Sequence, residues 1–176
     1  NISRSFFTVV FTFNDSNVTV SGNLTLVAST TWNEGNSTFT FDGSADATVN
    51  LAGGDLYNMI IGKDAANDVV TLGNTIDVEN NLTVTTGVLD TSSGNNYHVD
   101  IAKNFTLGAS GQFNANAGTV NVGGSIDLTG TMNEGTSTFV CDTSTSGTIK
   151  DGEFYNLTVA KQTNFSNMTQ SNSRCT

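Results

Sequence analysis

Lys150, Asp151 and Glu153 bring one cation and two carboxylates together within four residues, the kind of set that protonates and cleaves a glycosidic linkage. Such a site needs further acids from a neighbouring segment, and no acidic stretch lies at the spacing that would deliver one, so these residues read as solvated turn charges. Lys63-Asp64-Ala65-Ala66-Asn67-Asp68 offers three oxygen ligands in five residues, the beginning of a loop for a divalent cation. It lacks the EF-hand pattern and the Gly-Gly-x-Gly-x-Asp nonapeptide, which leaves Asp64, Asn67 and Asp68 as weak metal candidates. His98 lies between Tyr97 and Val99, on the opposite parity to the apolar pair Val99 and Ile101, and reads as an exposed strand residue. A Gly-x-Ser-x-Gly nucleophile turn is missing. The chemistry-bearing residues therefore predict no enzyme, no cofactor and no resident metal.

Cys141 and Cys175 have neither metal-ligand nor Cys-x-x-Cys spacing. In an acidic, lysine-poor chain they fit one disulfide of an extracellular protein, formed within a chain or between chains. The alternative is a buried thiol at Cys141 and an unrelated one in the tail. Asn-x-Ser/Thr sequons begin at Asn1, Asn14, Asn17, Asn23, Asn36, Asn81, Asn104, Asn156, Asn164 and Asn167. About six would arise by chance in a chain so rich in Asn, Ser and Thr, so they are N-glycosylation candidates if the protein is secreted in a glycosylating host.

Composition narrows the rest. The 176 residues include 23 Asn, 28 Thr, 18 Gly and no Pro, with 36% apolar and 12% charged residues and a net charge of −10. Six Lys and Arg against 16 carboxylates cannot neutralise a phosphate backbone, which excludes nucleic acid as a partner. No run approaches the ~20 apolar residues of a membrane-spanning helix, so membrane insertion is not expected. Thr, Val, Phe and Asn suit strands joined by turns. Asn1 in place of Met reads as a trimmed form. Residues 5–13 alternate with period two and read as a strand, any signal peptide having been removed.

Internal repetition is the strongest signal. Val18-x-Val20 followed by Leu24-x-Leu26 returns as Ile76/Val78 with Leu82/Val84. Val99/Ile101 with Phe105/Leu107 and Val120/Val122 with Ile126/Leu128 are further instances, the last three lying 23 and 21 residues apart. Between the pairs lie Gly- and Asn-rich corners such as Gly22-Asn23 and Lys103-Asn104. A longer word, Trp32-Asn33-Glu34-Gly35 through Asp42, returns 100 residues later as Met132-Asn133-Glu134-Gly135 through Asp142. Gly54-Asp55-Leu56-Tyr57-Asn58 then returns as Gly152-Glu153-Phe154-Tyr155-Asn156. A period of 21–23 residues with two or three short strands is one coil of a β-solenoid, in which stacked coils bury a continuous apolar stripe. Missing proline fits, because nearly every backbone N–H must donate to the next coil.

Words such as GNLTL, GVLDTSSGNNY, GTVNV, NEGTSTFVCD and FYNLTVAK resemble the repetitive secreted surface proteins of bacteria and archaea. The resemblance implies an all-β fold, a short right-handed parallel β-helix, with an adhesin-like role, and it specifies a scaffold rather than an activity. The expected organisation is an N-terminal strand at 1–16, solenoid repeats at 17–161 and a C-terminal tail at 162–176. The N-terminal strand carries Phe7, Val9, Phe11 and Phe13 on one face. It either lies on its own first coil or adds to the open edge of another copy, giving head-to-tail growth. These features predict an extracellular, cell-surface structural subunit that polymerises with copies of itself into a filament, sheath or layer. An adhesin or glycan-binding fragment of a larger surface protein, with surface glycans as partners, is the second expectation. A polysaccharide-degrading enzyme is the third.

Overall fold

The structure is a computed structural model that describes residues 9–28, 30–142, 147–159, 163–166 and 174–175, with Val9 and the last two stretches as backbone. The first strands are β1 (Val9–Thr12), β2 (Asn17–Val20), β3 (Leu24–Thr25), β4 (Thr30–Asn33), β5 (Thr38–Phe41), β6 (Ala47–Asn50) and β7 (Asn58–Gly62). They continue as β8 (Val69–Leu72), β9 (Ile76–Val78), β10 (Leu82–Asp90), β11 (Val99–Ile101), β12 (Phe105–Asn114) and β13 (Thr119–Val122). The last are β14 (Ile126–Leu128), β15 (Thr131–Asn133), β16 (Thr138–Cys141), β17 (Gly147–Lys150), β18 (Asn156–Val159), β19 (Thr163–Ser166) and β20 (Arg174–Cys175).

Every pairing between these strands is parallel, and each joins a strand to its counterpart one coil later, which makes the chain a β-solenoid of about 7 turns. Three strand columns wall it. The first face stacks β2, β5, β7, the start of β10, the start of β12, β14, β17 and β19. The second stacks β3, β6, β8, the end of β10, the end of β12 and β15. The third stacks β9, β11, β13, β16, β18 and β20. Toward the N-terminus that third face continues through the Leu56–Val78 bridge and the β1–β4 pair. The three-strand coil matches the sequence period.

Alternation decides which side chains face in. Phe39, Phe41, Met59, Ile61, Leu82, Val84, Phe105 and Leu107 are fully buried on the first face, while Thr40, Ile60, Thr83 and Thr106 lie between them on the outward parity. Corners are held by side chains that replace strand pairing. The Asn81 Oδ1 accepts from the Asn104 side-chain amide at 3.0 Å, and the Asn104 Oδ1 accepts from the Ser125 N–H at 2.9 Å. Ser125 Oγ in turn accepts from the Thr148 N–H at 3.1 Å. Much of the Asn excess is thus a hydrogen-bond ladder between coils, satisfying backbone donors that a corner would otherwise orphan.

The 100-residue repeat is preserved in local structure but not in position around the coil. Glu34 and Glu134 each accept from the N–H of the serine three residues on, at 3.2 and 3.0 Å, and Gly35 and Gly135 adopt φ of 57° and 54°. Yet β5 sits on the first face and its copy β16 on the third. Likewise β7 lies on the first face and its copy β18 on the third. The second copy is therefore turned by one face relative to the first. The equivalence also extends upstream: β1 underlies β4 as the end of β12 underlies β15, with Phe11 beside Trp32 and Phe113 beside Met132. Asn14 and Asn116, which follow, both adopt positive φ (48° and 52°).

β1 pairs with β4 along its whole length, so strand pairing is already present before residue 17. At the other end β19 and β20 continue the ladders past residue 161.

Candidate functional site

The sequence-derived acid set does not assemble. Lys150 stands in register with Asp127 one coil below and pairs with it at 3.1 Å, with Asp151 further off at 3.7 Å. Hydrogen bonding to Asp127 raises the Lys150 pKa from its ordinary value, helped by the charges of Asp127 and Asp151. The lysine is thus committed to a cross-coil ion pair, a relation that linear spacing did not reveal.

The weak metal candidates Asp64, Asn67 and Asp68 share one loop between β7 and β8. Asp68 turns its carboxylate onto the Ala65 N–H at 3.0 Å and closes its own loop, while Asp64 and Asn67 are exposed. Among the described residues no three His, Cys, Asp or Glu side chains are placed to hold a metal ion. His98 is half-buried and its Nε2 meets the Asn121 side-chain amide at 3.1 Å.

The two cysteines of the expected disulfide lie on the third face, in β16 and β20. Cys141 is a free thiol, 1% exposed, on the inward parity. It pairs in register with Val159, whereas Cys175 pairs with Leu157, one coil further on and two residues back. That offset places the two Cα atoms roughly 12 Å apart by ladder spacing, against the roughly 4.4–6.8 Å a disulfide spans. Burial pushes the Cys141 thiol up to about 11.

Of the sequon asparagines, Asn14, Asn17, Asn23, Asn36 and Asn104 are exposed, and Asn81 and Asn156 are half-buried. Asn104 is engaged in the corner ladder, and Asn156 donates to Thr138 Oγ1 at 3.4 Å. Asn164 lies in β19, described as backbone, while Asn1 and Asn167 lie outside the described residues.

The N-terminal rung is the exposed apolar feature. Phe7 lies outside the described residues. Phe11 is 45% exposed and Val10 56% exposed, although Phe11 has the inward parity. Beneath them runs an aromatic stack: Phe13 lies 4.6 Å from Trp32 and 5.0 Å from Phe39 between ring centroids. β1 pairs with β4 on one edge, and among the described residues no strand pairs with its other edge.

Two features escaped the sequence reading. Asp55, Asp77 and Asp100 form a column on the third face, Asp77 in register with Asp100 and Asp55 one residue before the Leu56–Val78 bridge. Burial, then the charges of Asp77 and Glu79, raise the Asp55 pKa. Second, one cleft is built twice. Leu26, Trp32 and Gly54 line about 300 Å3 in the first copy, and Leu128, Met132 and Gly152 line about 250 Å3 in the second. Trp32 is fixed there by donating from Nε1 to the Asp55 carbonyl at 2.7 Å. Pairing of these residues across the repeat was the available signal, visible in the words Gly54-Asp55 and Gly152-Glu153. No protein-family model matches the chain, and no similar protein was found among curated sequences or solved structures.

Proposed function

We propose that the chain is a non-enzymatic, extracellular structural protein, a subunit that self-assembles through end-to-end strand contacts into a cell-surface filament, sheath or layer. One observation carries this reading: Phe11, on the inward parity of the first described rung, is 45% exposed beside Val10 at 56%. An open strand edge bearing apolar side chains is an association template. The polar, weakly charged wall of Thr and Asn supports it, since such a wall resists lateral aggregation while the ends remain adhesive. Negative-stain microscopy and sedimentation of the purified full chain test the reading. Concentration-dependent elongated particles are expected, and persistent monodisperse monomers would refute it.

A second reading, an adhesin-like glycan-binding segment, is favoured by the cleft at Trp32, whose indole, with Leu26 and Leu51, offers an apolar lining for a sugar ring. Glycan-array binding that is lost in Trp32→Ala would support it.

A further inference from the structure

We infer that the cleft at Trp32 takes an acetamido sugar, a pyranose whose N-acetyl group pairs with the backbone N–H and C=O of Trp32. The inference rests on the glycan-binding reading above and names the class of sugar.

The backbone pair is free because the third-face ladder is interrupted above β4. The Phe13 N–H donates to the Asn33 carbonyl at 3.0 Å, so Asn33 faces β1. In a parallel ladder successive residues turn their N–H and C=O to opposite edges, which turns those of Trp32 toward residues 54–55. No strand meets them there. The Leu56 N–H donates to the Asp77 carbonyl at 3.0 Å, and the Leu56 carbonyl accepts from the Glu79 N–H at 2.9 Å, both toward β9. Among the described residues neither the N–H nor the C=O of Trp32 has a hydrogen-bond partner, so solvent or a ligand must satisfy them. The second repeat keeps this arrangement: the Ala115 N–H donates to the Asn133 carbonyl at 3.0 Å, which turns the Met132 pair the same way.

One amide fits this edge, and a strand does not. The next residues with the same orientation are Thr30 and Glu34. The Thr30 N–H already donates to the Val27 carbonyl at 2.9 Å, and the Glu34 carbonyl already accepts from the Ser37 N–H at 3.2 Å. An added peptide strand would need those groups, whereas a single secondary amide needs the Trp32 pair alone. Side chains supply the rest. Trp32 is half-buried beside Leu26 and Leu51, and no charged residue lines the cleft, so the lining suits a neutral ring and a methyl group. The indole is set in advance by its Nε1 bond to the Asp55 carbonyl at 2.7 Å and by Phe39 at 5.3 Å, which limits the ordering cost of binding. Gly54 keeps the space open, since a Cβ there would lie 3.2 Å from Leu26 Cδ1 and 3.3 Å from Trp32 Cδ1. The cleft, about 300 Å3, stands at the small end of ligand sites. Its copy has Met132 in place of the indole and Glu153 in the lining, so the assignment is to the first cleft.

Trp32 is the one tryptophan of the chain, so its fluorescence reports on the cleft. The full chain is titrated with a trimer of β-1,4-linked N-acetylglucosamine, with cellotriose, which has the same rings without the amide, and with acetylated trialanine amide. A saturable change is expected with the acetylated sugar, with cellotriose about tenfold weaker or more and no response to the peptide. Ala28→Phe, which sets a ring at the exposed rim and leaves the aromatic stack untouched, should abolish the response. Amide exchange followed by NMR reads the backbone pair directly. The Trp32 N–H should exchange faster than the Asn33 N–H in the free protein and become protected by the acetylated trimer. A Trp32 amide already protected in the free protein would overturn the inference, as would a peptide that binds as well as the acetylated trimer. Equal binding of the two sugars would overturn the amide contact and keep the glycan reading. Silence toward both sugars, while an array glycan still depends on Trp32, would do the same. Silence on the array as well would overturn both.

Discussion

Asp77 and Asp100 stand in register on adjacent coils of the third face, two carboxylates one ladder spacing apart, with Asp55 below them at the next coil down. The backbone ladder holds these charges together, and no cation among the described residues pairs with them. Sheet geometry alone fixes the separation of their Cα atoms at ~4.8 Å. Lys150, by contrast, meets Asp127 at the corresponding one-coil step and forms an ion pair. The same geometry therefore gives repulsion in one column and attraction in another, according to which residues the period aligns.

Replacing Asp100 with Asn should stabilise the fold. The change is nearly isosteric and removes one of two like charges directly opposite each other, an interaction worth about 0.2–1 kcal/mol. Urea unfolding at low ionic strength should show a gain in this range. In 1 M salt, where screening acts over about 3 Å, the gain should shrink. A loss of stability at low salt would show that the column is not strained.

Asp55 adds a pH dependence whose sign is fixed. Its folded-state pKa is raised, by burial first and by Asp77 and Glu79 after it, so the folded state holds this proton more tightly than the unfolded chain does. Its contribution to stability is fully present below the ordinary aspartate value and is lost as pH rises through the folded value. Thermal melts of wild type and Asp55→Asn from acidic to neutral pH should therefore diverge, the variant becoming relatively more stable as pH rises. Parallel curves would contradict the shift.

Cys141 should behave as a core residue. With the thiol 1% exposed and its pKa pushed up to about 11, alkylation at pH 8 should be negligible in the native protein and rapid in denaturant. Because the folded state disfavours the thiolate, stability should also decline as pH rises from the ordinary thiol value, about 8.5, toward 11. Native labelling as fast as that of a free thiol would mean the third face opens at β16.

The coil period, the inward parity of pairs such as Phe105 and Leu107, and the turn character of Lys103-Asn104 were legible because a parallel ladder prints its spacing directly on the sequence. What the sequence could not show is phase. Residues 32–42 and 132–142 look like equivalents on one wall, yet they occupy different faces, because 100 residues do not make a whole number of three-strand coils. The Asp77–Asp100 column, the Asp127–Lys150 pair and the separation of Cys141 from Cys175 all depend on that phase. Each is a relation between coils, set by corner lengths that vary from turn to turn. Lys63 was also hidden: an ordinary lysine in the sequence, it is 3% exposed and donates to the Asp42 and Ala45 carbonyls at 2.5 and 2.8 Å.

The paired glycines Gly35 and Gly135 provide a within-molecule comparison, since both end the same Asn-Glu-Gly corner in the left-handed region, at φ of 57° and 54°. Alanine at either position carries the left-handed penalty of about 1–2 kcal/mol. The surroundings differ. A Cβ at Gly35 would meet the Asp15 N and Oδ1 at 3.3 Å, a contact that the aspartate side chain can partly relieve. At Gly135 the Cβ would run into the Asn116 carbonyl oxygen, which is backbone and already accepts from the Thr136 N–H at 2.7 Å. In the first copy the corresponding N–H, that of Asn36, goes to the Asp15 side chain at 2.8 Å instead. The second copy thus packs backbone against backbone where the first inserts a side chain. Gly35→Ala should cost about 1–2 kcal/mol, and Gly135→Ala roughly 2–4 kcal/mol because it must also push adjacent coils apart. Urea titrations of the two variants decide it: equal losses would mean that the corners relax alike and that the close approach at Asn116 does not hold in solution.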